Sequence, residues 1–204
     1  MNWLVFTCFL LWLYILTVFH RGKLYYFKYL WGSVGLFIFM CIYIEPTFSE
    51  ILKQYVTSVV GIIGKLTGIC EAFYELSVVF IPKQRELTAI SLYIDYECSG
   101  IIEMMAFVAL LAFFEVYDIG QRIIVSLVGC ICIFTFNIIR IMVICVIIYK
   151  FGSGSYYVAH TILGRIIFYS FTVILYYYVF TRQQIIKQKV GGFQYAEHNE
   201  NAGE

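Results

Sequence analysis

The chain is poor in charge. Only 13% of its 204 residues are Asp, Glu, Lys or Arg, where soluble domains carry about 25%. It also lacks a dominant sign of charge: the net value of +1 leaves no basic face and excludes a nucleic-acid-binding role. No Cys-x-x-Cys pair and no His/Cys group at metal-ligand spacing occurs, so neither a metal nor an organic cofactor is expected. The seven cysteines are odd in number and mostly sit in apolar runs, which does not describe a disulfide framework. Cys130 and Cys132 read as small core residues. The N-terminus has no basic region and no small-residue cleavage site, so the first apolar run is expected to be a retained span rather than a signal peptide. No internal repeat is present.

What the chain does have is apolar surface. It is 62% hydrophobic and 20% aromatic, more than a soluble fold of this size can hide, and lipid is the solvent that accommodates it. Five runs approach the roughly 20 residues that a span requires. They are Asn2 to Phe19, Tyr29 to Ile44 (closed by Glu45-Pro46), Ser99 to Phe114, Ile123 to Tyr149, and Val158 to Phe180. Between the second and third, Glu50 to Cys70 has Leu52, Tyr55, Val56, Val59, Ile63, Leu66 and Cys70 on one helical face. Lys53, Gln54, Thr57, Ser58 and Lys65 fill the other. This is an amphipathic helix expected to lie at the membrane interface; read instead as a span, it makes six. Leu76, Val78 and Phe80 then alternate with other residues, as do Thr88, Ile90, Leu92 and Ile94, across Pro82 to Arg85. That is the period of a short β-hairpin outside the membrane. The expected fold is an all-α polytopic membrane protein. It is a bundle of 5–6 transmembrane helices over residues 1–180, with a helix and β-hairpin inserted at about 45–97 and a polar, flexible cytoplasmic tail over 181–204.

Basic residues orient the bundle. Arg21, Lys23 and Lys28 lie between runs one and two, Arg122 between three and four, and Arg182, Lys187 and Lys189 after five. Five spans with the N-terminus outside place all three groups on the cytoplasmic side. The hairpin and the Gly-Ser turn at 152–155 are then outside.

This topology brings three reactive side chains from separate helices to one level of the membrane. Cys98 opens the third run and His160 the fifth, while Arg140 lies about 15 Å below Lys150 at 1.5 Å per residue. Each has a plainer reading: a packing cysteine, a snorkelling arginine, an interfacial histidine. An arginine inside an apolar run is costly enough to be a functional candidate by default. Together the three suit a nucleophilic mechanism. The thiolate of Cys98 would attack, a fixed cation would offset the cost of desolvating it or hold an oxyanion, and an imidazole would move the proton. Which of Arg140 and His160 activates the thiol is left open. Asn137, one turn before Arg140, could orient the guanidinium, donate to the oxyanion or bond another helix. Ser99 and Gly100 could free the backbone near a substrate carbonyl, and Gly164 could let a helix pack closely. Glu103 is an intramembrane carboxylate with Arg165 as a plausible partner.

Cys98-Ser99-Gly100 resembles the Cys-Ser-Gly motif of the exosortase/archaeosortase family. Asn137-Ile138-Ile139-Arg140 resembles its Asn-x-x-Arg motif, and His160-Thr161-Ile162-Leu163-Gly164 its His-x-x-x-Gly motif. Order, spacing and placement on successive spans also match, over about Gly61 to Phe180. The short chain is similar to the compact members of Gram-positive bacteria. The resemblance implies a thiol protease or transpeptidase in the bacterial cell membrane with its active site facing outside. By it Cys98 is the nucleophile, with Arg140 and His160 as partners. The implied substrates are secreted proteins with a C-terminal sorting signal: a short motif, a membrane span and a basic cluster. The cut protein is passed to an acceptor, which can be water, an amine or a lipid. Two other classes use the same residues differently. A small transporter or channel would line its path with Glu103, Arg140 and Arg165, and an assembly factor would dock a partner through the hairpin tip at Lys83 to Glu86.

Overall fold

The computed structural model describes residues 2–82, 90–95 and 98–186. The expected hairpin tip from Lys83 to Glu86, Thr88, and the tail beyond residue 186 lie outside that set. The protein is an all-α membrane protein with one small sheet. Three helices are long and apolar enough to cross a membrane, Tyr25–Tyr43, Ile119–Phe151 and the continuous run Val158–Ile186, and the shorter apolar helices Phe6–Arg21 and Ile101–Ala112 join them.

Helix α1 (Asn2–Arg21) packs on α2 (Tyr25–Tyr43), and α3 (Glu45–Thr67) follows after a single residue. The break falls at Ile44 because Pro46, in the first turn of α3, supplies no N–H to continue the α2 ladder. Helix α4 (Ile101–Ala112) packs between α2 and α5 (Ile119–Phe151). A capping box at Asp118 and Gln121 starts α5, so that helix begins inside the segment expected to be a loop. After a π-helical turn at Val158–Leu163, α6 (Gly164–Tyr176) packs along α5, and a second π-helical turn covers Tyr177–Thr181. Helical structure continues over residues 182–186, the first residues of the expected polar tail. Tyr178 lies under the Arg182 guanidinium at 5.5 Å.

The expected hairpin is a three-stranded antiparallel sheet in the order β1 (Glu71–Phe73), β2 (Val78–Ile81), β3 (Ile90–Tyr93). Leu76 is not in a strand but in a 3-10 turn, Tyr74–Leu76, that reverses the chain at Ser77 (φ 51°). Val78 pairs with Tyr93 and Ile81 with Ile90. The inward face is Val79, Ile81 and Leu92, not Val78 and Phe80. Val78 to Ile81 is apolar on both faces, so alternation alone could not choose between them.

Helix α3 also differs from its helical-wheel reading. Its buried face is Lys53, Val56, Thr57, Val60, Gly61 and Gly64, while Tyr55 and Leu66 point outward. Small residues win the inner face because the sheet approaches there: a Cβ on Gly61 would stand 2.8 Å from Ala72 Cβ. Lys53 is tolerated because its ammonium reaches Glu50 at 2.6 Å. Cys130 and Cys132 are half-buried rather than core residues, since Gly129 and Ile133 hold the inner face of that turn.

Two buried clusters result. One lies beneath the sheet and is aliphatic: Val56 and Val60 of α3, Val79, Ile81 and Leu92 of the sheet, and Ile141, Ile144 and Ile148 of α5. The other lies among the helices and is aromatic, with Phe107, Phe114 and Phe168 at its centre and Tyr29, Tyr176 and Phe180 around them. With 33 residues, α5 is about 50 Å long and runs through both.

Candidate active site

Cys98 stands where the sheet hands over to α4. Ile94 N–H donates to Ser77 O at 2.9 Å, and Cys98 N–H donates back to Asp95 O at 2.9 Å, turning the chain. Gly100 follows with φ +79°, a left-handed conformation that costs other residues strain, and α4 begins at the next residue. Ser99 is fully buried and its Oγ accepts the Ile101 N–H at 3.4 Å.

Two residues of α5 meet this turn. Asn137 is completely buried and donates from Nδ2 to the Cys98 carbonyl at 2.7 Å. Arg140, 5% exposed, directs Nη2 at Cys98 Sγ from 3.8 Å. Its guanidinium lies over the Phe168 ring at 5.7 Å, an aromatic face suited to a desolvated cation. Arg140 Nε and Asn137 Oδ1 have no hydrogen-bond partner among the described residues.

His160 arrives from the opposite side. It sits in the π-helical turn, which the Gly164 N–H closes onto Ala159 O; such single π turns concentrate at functional sites. Its Nε2 is 3.2 Å from Cys98 Sγ, and its ring stacks on Tyr156 with centroids 5.6 Å apart and planes 8° from parallel. Gly164 packs against α5: a Cβ there would stand 2.8 Å from Ile144 Cδ1.

Cys98, Arg140 and His160, expected only to share a level, therefore converge laterally, and Asn137, Ser99, Gly100 and Gly164 all lie in the same neighbourhood. Glu103 and Arg165 do not form the pair anticipated for them. Arg165 is exposed and Glu103 half-buried in the first turn of α4, and neither makes an ion pair among the described residues. Arg165 is exposed where His160 is partly buried, so it faces away from the bundle. Phe168 and Tyr156 were not anticipated. The signal existed: Tyr156, His160, Gly164 and Phe168 recur every four residues, one stripe on one helix face.

The arrangement is a buried thiol held between an imidazole and a guanidinium, each from a different element. A sulfur nucleophile within reach of a base, with a fixed cation beside both, can add to a carbonyl and stabilise the charge that develops. A family model described as transmembrane exosortase matches residues 1–177. No curated protein and no solved structure matches the chain.

Proposed function

Because the chain belongs to the transmembrane exosortase family, we propose that this membrane-embedded, sorting-related protein is a cysteine transpeptidase. It cleaves the C-terminal sorting signal of secreted proteins and passes them to an acceptor. The observation that carries the reading is the 3.2 Å approach of His160 Nε2 to Cys98 Sγ with Arg140 on the same sulfur.

The steps follow from those contacts. His160 takes the thiol proton, and Cys98 Sγ forms a bond to the carbonyl carbon of the scissile peptide while the carbonyl π electrons move to oxygen. Arg140 offers that oxyanion its unpaired Nε–H and its Nη2. The oxyanion collapses, the C–N bond breaks, and His160 returns the proton to the departing amine. The thioester that remains is attacked by water, an amine or a lipid hydroxyl, His160 accepting the attacking proton, and Cys98 is released.

Depth supports the outer-face assignment. Arg140 lies about 32 Å along α5 from Ile119, close to the roughly 30 Å of a bilayer core. With the α4–α5 loop at the cytoplasmic interface, held there by Arg122, the thiol stands at the opposite one. Helices α1, α2, α5 and α6 are then full spans, the 12-residue α4 crosses only part of the core, and α3 lies along the outer interface beneath the sheet.

The test is labelling of Cys98 by a membrane-impermeant maleimide in intact cells, the other six cysteines replaced. Rapid labelling that slows in Arg140→Ala and His160→Ala is expected. Labelling only after the membrane is opened would invert the topology, and normal substrate processing by Cys98→Ala would remove the mechanism.

A further inference from the structure

Asn137 is open, on sequence grounds, to three roles: orienting the guanidinium, donating to an oxyanion, or bonding another helix. The structure narrows these, because the amide is already engaged. Its Nδ2 donates to the Cys98 carbonyl at 2.7 Å, short for an N–H···O bond. A carbonyl can meet only the NH2 end of the amide, so chemistry fixes which way the side chain faces. Both partners are buried, so losing the bond leaves a desolvated polar group at either end.

We propose that Asn137 is the positioning residue of the site: by holding the Cys98 carbonyl, its amide sets where the thiol stands between Arg140 and His160. The proposal rests on the reading of Cys98 as nucleophile. The carbonyl and the thiol hang from one Cα, so a shift of the first carries the second. The sulfur has little room to move and stay in contact, at 3.2 Å from His160 Nε2 and 3.8 Å from Arg140 Nη2. Gly100 secures the other flank of the turn: its Cα face lies on the Asn137 side chain, where an added Cβ would meet Cβ and Cγ at 3.6 Å. Asn137 and Arg140 share a face of α5 one turn apart. One rigid helix thus both places the sulfur and presents the cation that meets it, so the pairing does not depend on the β3–α4 loop holding itself in shape.

The experiment uses the full-length protein in lipid nanodiscs with the other six cysteines replaced. Iodoacetamide alkylation of Cys98 is followed by mass spectrometry across pH for wild type, Asn137→Leu, Asn137→Asp, Arg140→Ala and His160→Ala. Among the described residues, Arg140 from α5 and His160 from the π turn meet the thiol, and Asp95 of the preceding loop and Glu103 of α4 are the charged groups on the elements flanking it. All four are kept in both Asn137 variants; Asn137→Asp adds a carboxylate that raises the midpoint by charge alone, so Asn137→Leu carries the test. If Asn137 places the sulfur, Asn137→Leu moves the alkylation midpoint upward and slows the reaction at neutral pH by about tenfold, one unit of midpoint. Thermal melting identifies a variant that fails to fold. In that case Gly100→Ala, which strains the same turn from its other flank, is expected to give the same shift. An unchanged profile in folded Asn137→Leu, beside a shifted one in Arg140→Ala or His160→Ala, overturns the proposal and leaves the nucleophile reading standing. Unchanged profiles in all the variants overturn both.

Discussion

On the proposed topology, the two buried clusters solve the same problem in different solvents. Beneath the sheet the packing is aliphatic and β-branched: Val56, Val60, Val79, Ile81, Ile141, Ile144 and Ile148. These side chains suit a pleated surface, and their burial is driven by removal from water. Among the helices lipid is as apolar as the core, and that driving force is missing. There the packing is aromatic and geometric. Phe107 meets Tyr176 and Phe180 edge-on at 5.6 and 5.8 Å, and Phe114 meets Phe180 at 5.1 Å. Close approach is supplied by Gly129, whose missing Cβ is filled by the Phe107 ring. Cys98 belongs to the aliphatic cluster, while Arg140 rests on Phe168 of the aromatic one. Cys98 and Arg140 thus meet on the seam between the two clusters, where the cation gains an aromatic face.

If the halves are built differently, they should break differently. The largest effect is expected from Ile81→Asp, which buries an unpaired carboxylate at a position 1% exposed and costs several kcal/mol. Limited proteolysis in nanodiscs should then cut the sheet while fragments containing α5 and α6 persist; loss of the whole bundle would show that the two clusters fold as one. Phe107→Ala comes next. Phe→Ala in a packed core costs about 3–5 kcal/mol, and this one removes the central ring of the aromatic half. Thermal melting in micelles should fall, while proteolysis of the sheet stays at the wild-type rate. Gly129→Ala follows at about 1–3 kcal/mol of overpacking, because its Cβ would lie 2.1 Å from Phe107 Cε1. The smaller side chain in Gly129→Ala/Phe107→Leu should recover part of that loss, and strict additivity in the double variant would deny the contact.

The same contrast explains what the sequence discloses. Apolar runs and basic flanks are one-dimensional signals, so the helices and the three reactive residues are legible. Motif order is legible too, because Cys98, Asn137, Arg140 and His160 keep their spacing along the chain. What stays hidden depends on a partner surface. Val78 to Ile81 is apolar on both faces, and only the presence of α3 and α5 beneath the sheet decides that Val79 and Ile81 go in. The buried stripe of α3 follows small residues and Lys53 rather than the most apolar face, because a sheet and an ion pair await it. The third apolar run yields a helix of 12 residues, about 18 Å, since Ser99 and Gly100 are spent on the turn that carries the thiol. Arg165 reads as an intramembrane partner for Glu103 until the fold leaves it exposed.

The smallest expected effect belongs to Lys53, the one ammonium buried in the aliphatic half among the described residues. Its Nζ bonds Glu50 at 2.6 Å and lies 5.8 Å from the Tyr93 ring centroid. The hydrogen bond to Glu50 holds the ammonium above its ordinary range, reinforced by Tyr93 and opposed by burial. A raised folded value means the stabilisation is fully present below the unfolded lysine value, about 10.4, and is lost only as pH climbs through the higher folded one. Between pH 7 and 9 its contribution should therefore not vary. Glu50 is 65% exposed, so truncating the lysine strands no buried charge, and the pair is worth about 1 kcal/mol or less. Lys53→Met keeps the long apolar stem against the sheet and should change the melting temperature little at any pH in that window. A loss of several kcal/mol would mean that the aliphatic half leans on this ion pair, and that the division between a water-driven core above and a geometric one below is less clean than its side chains suggest.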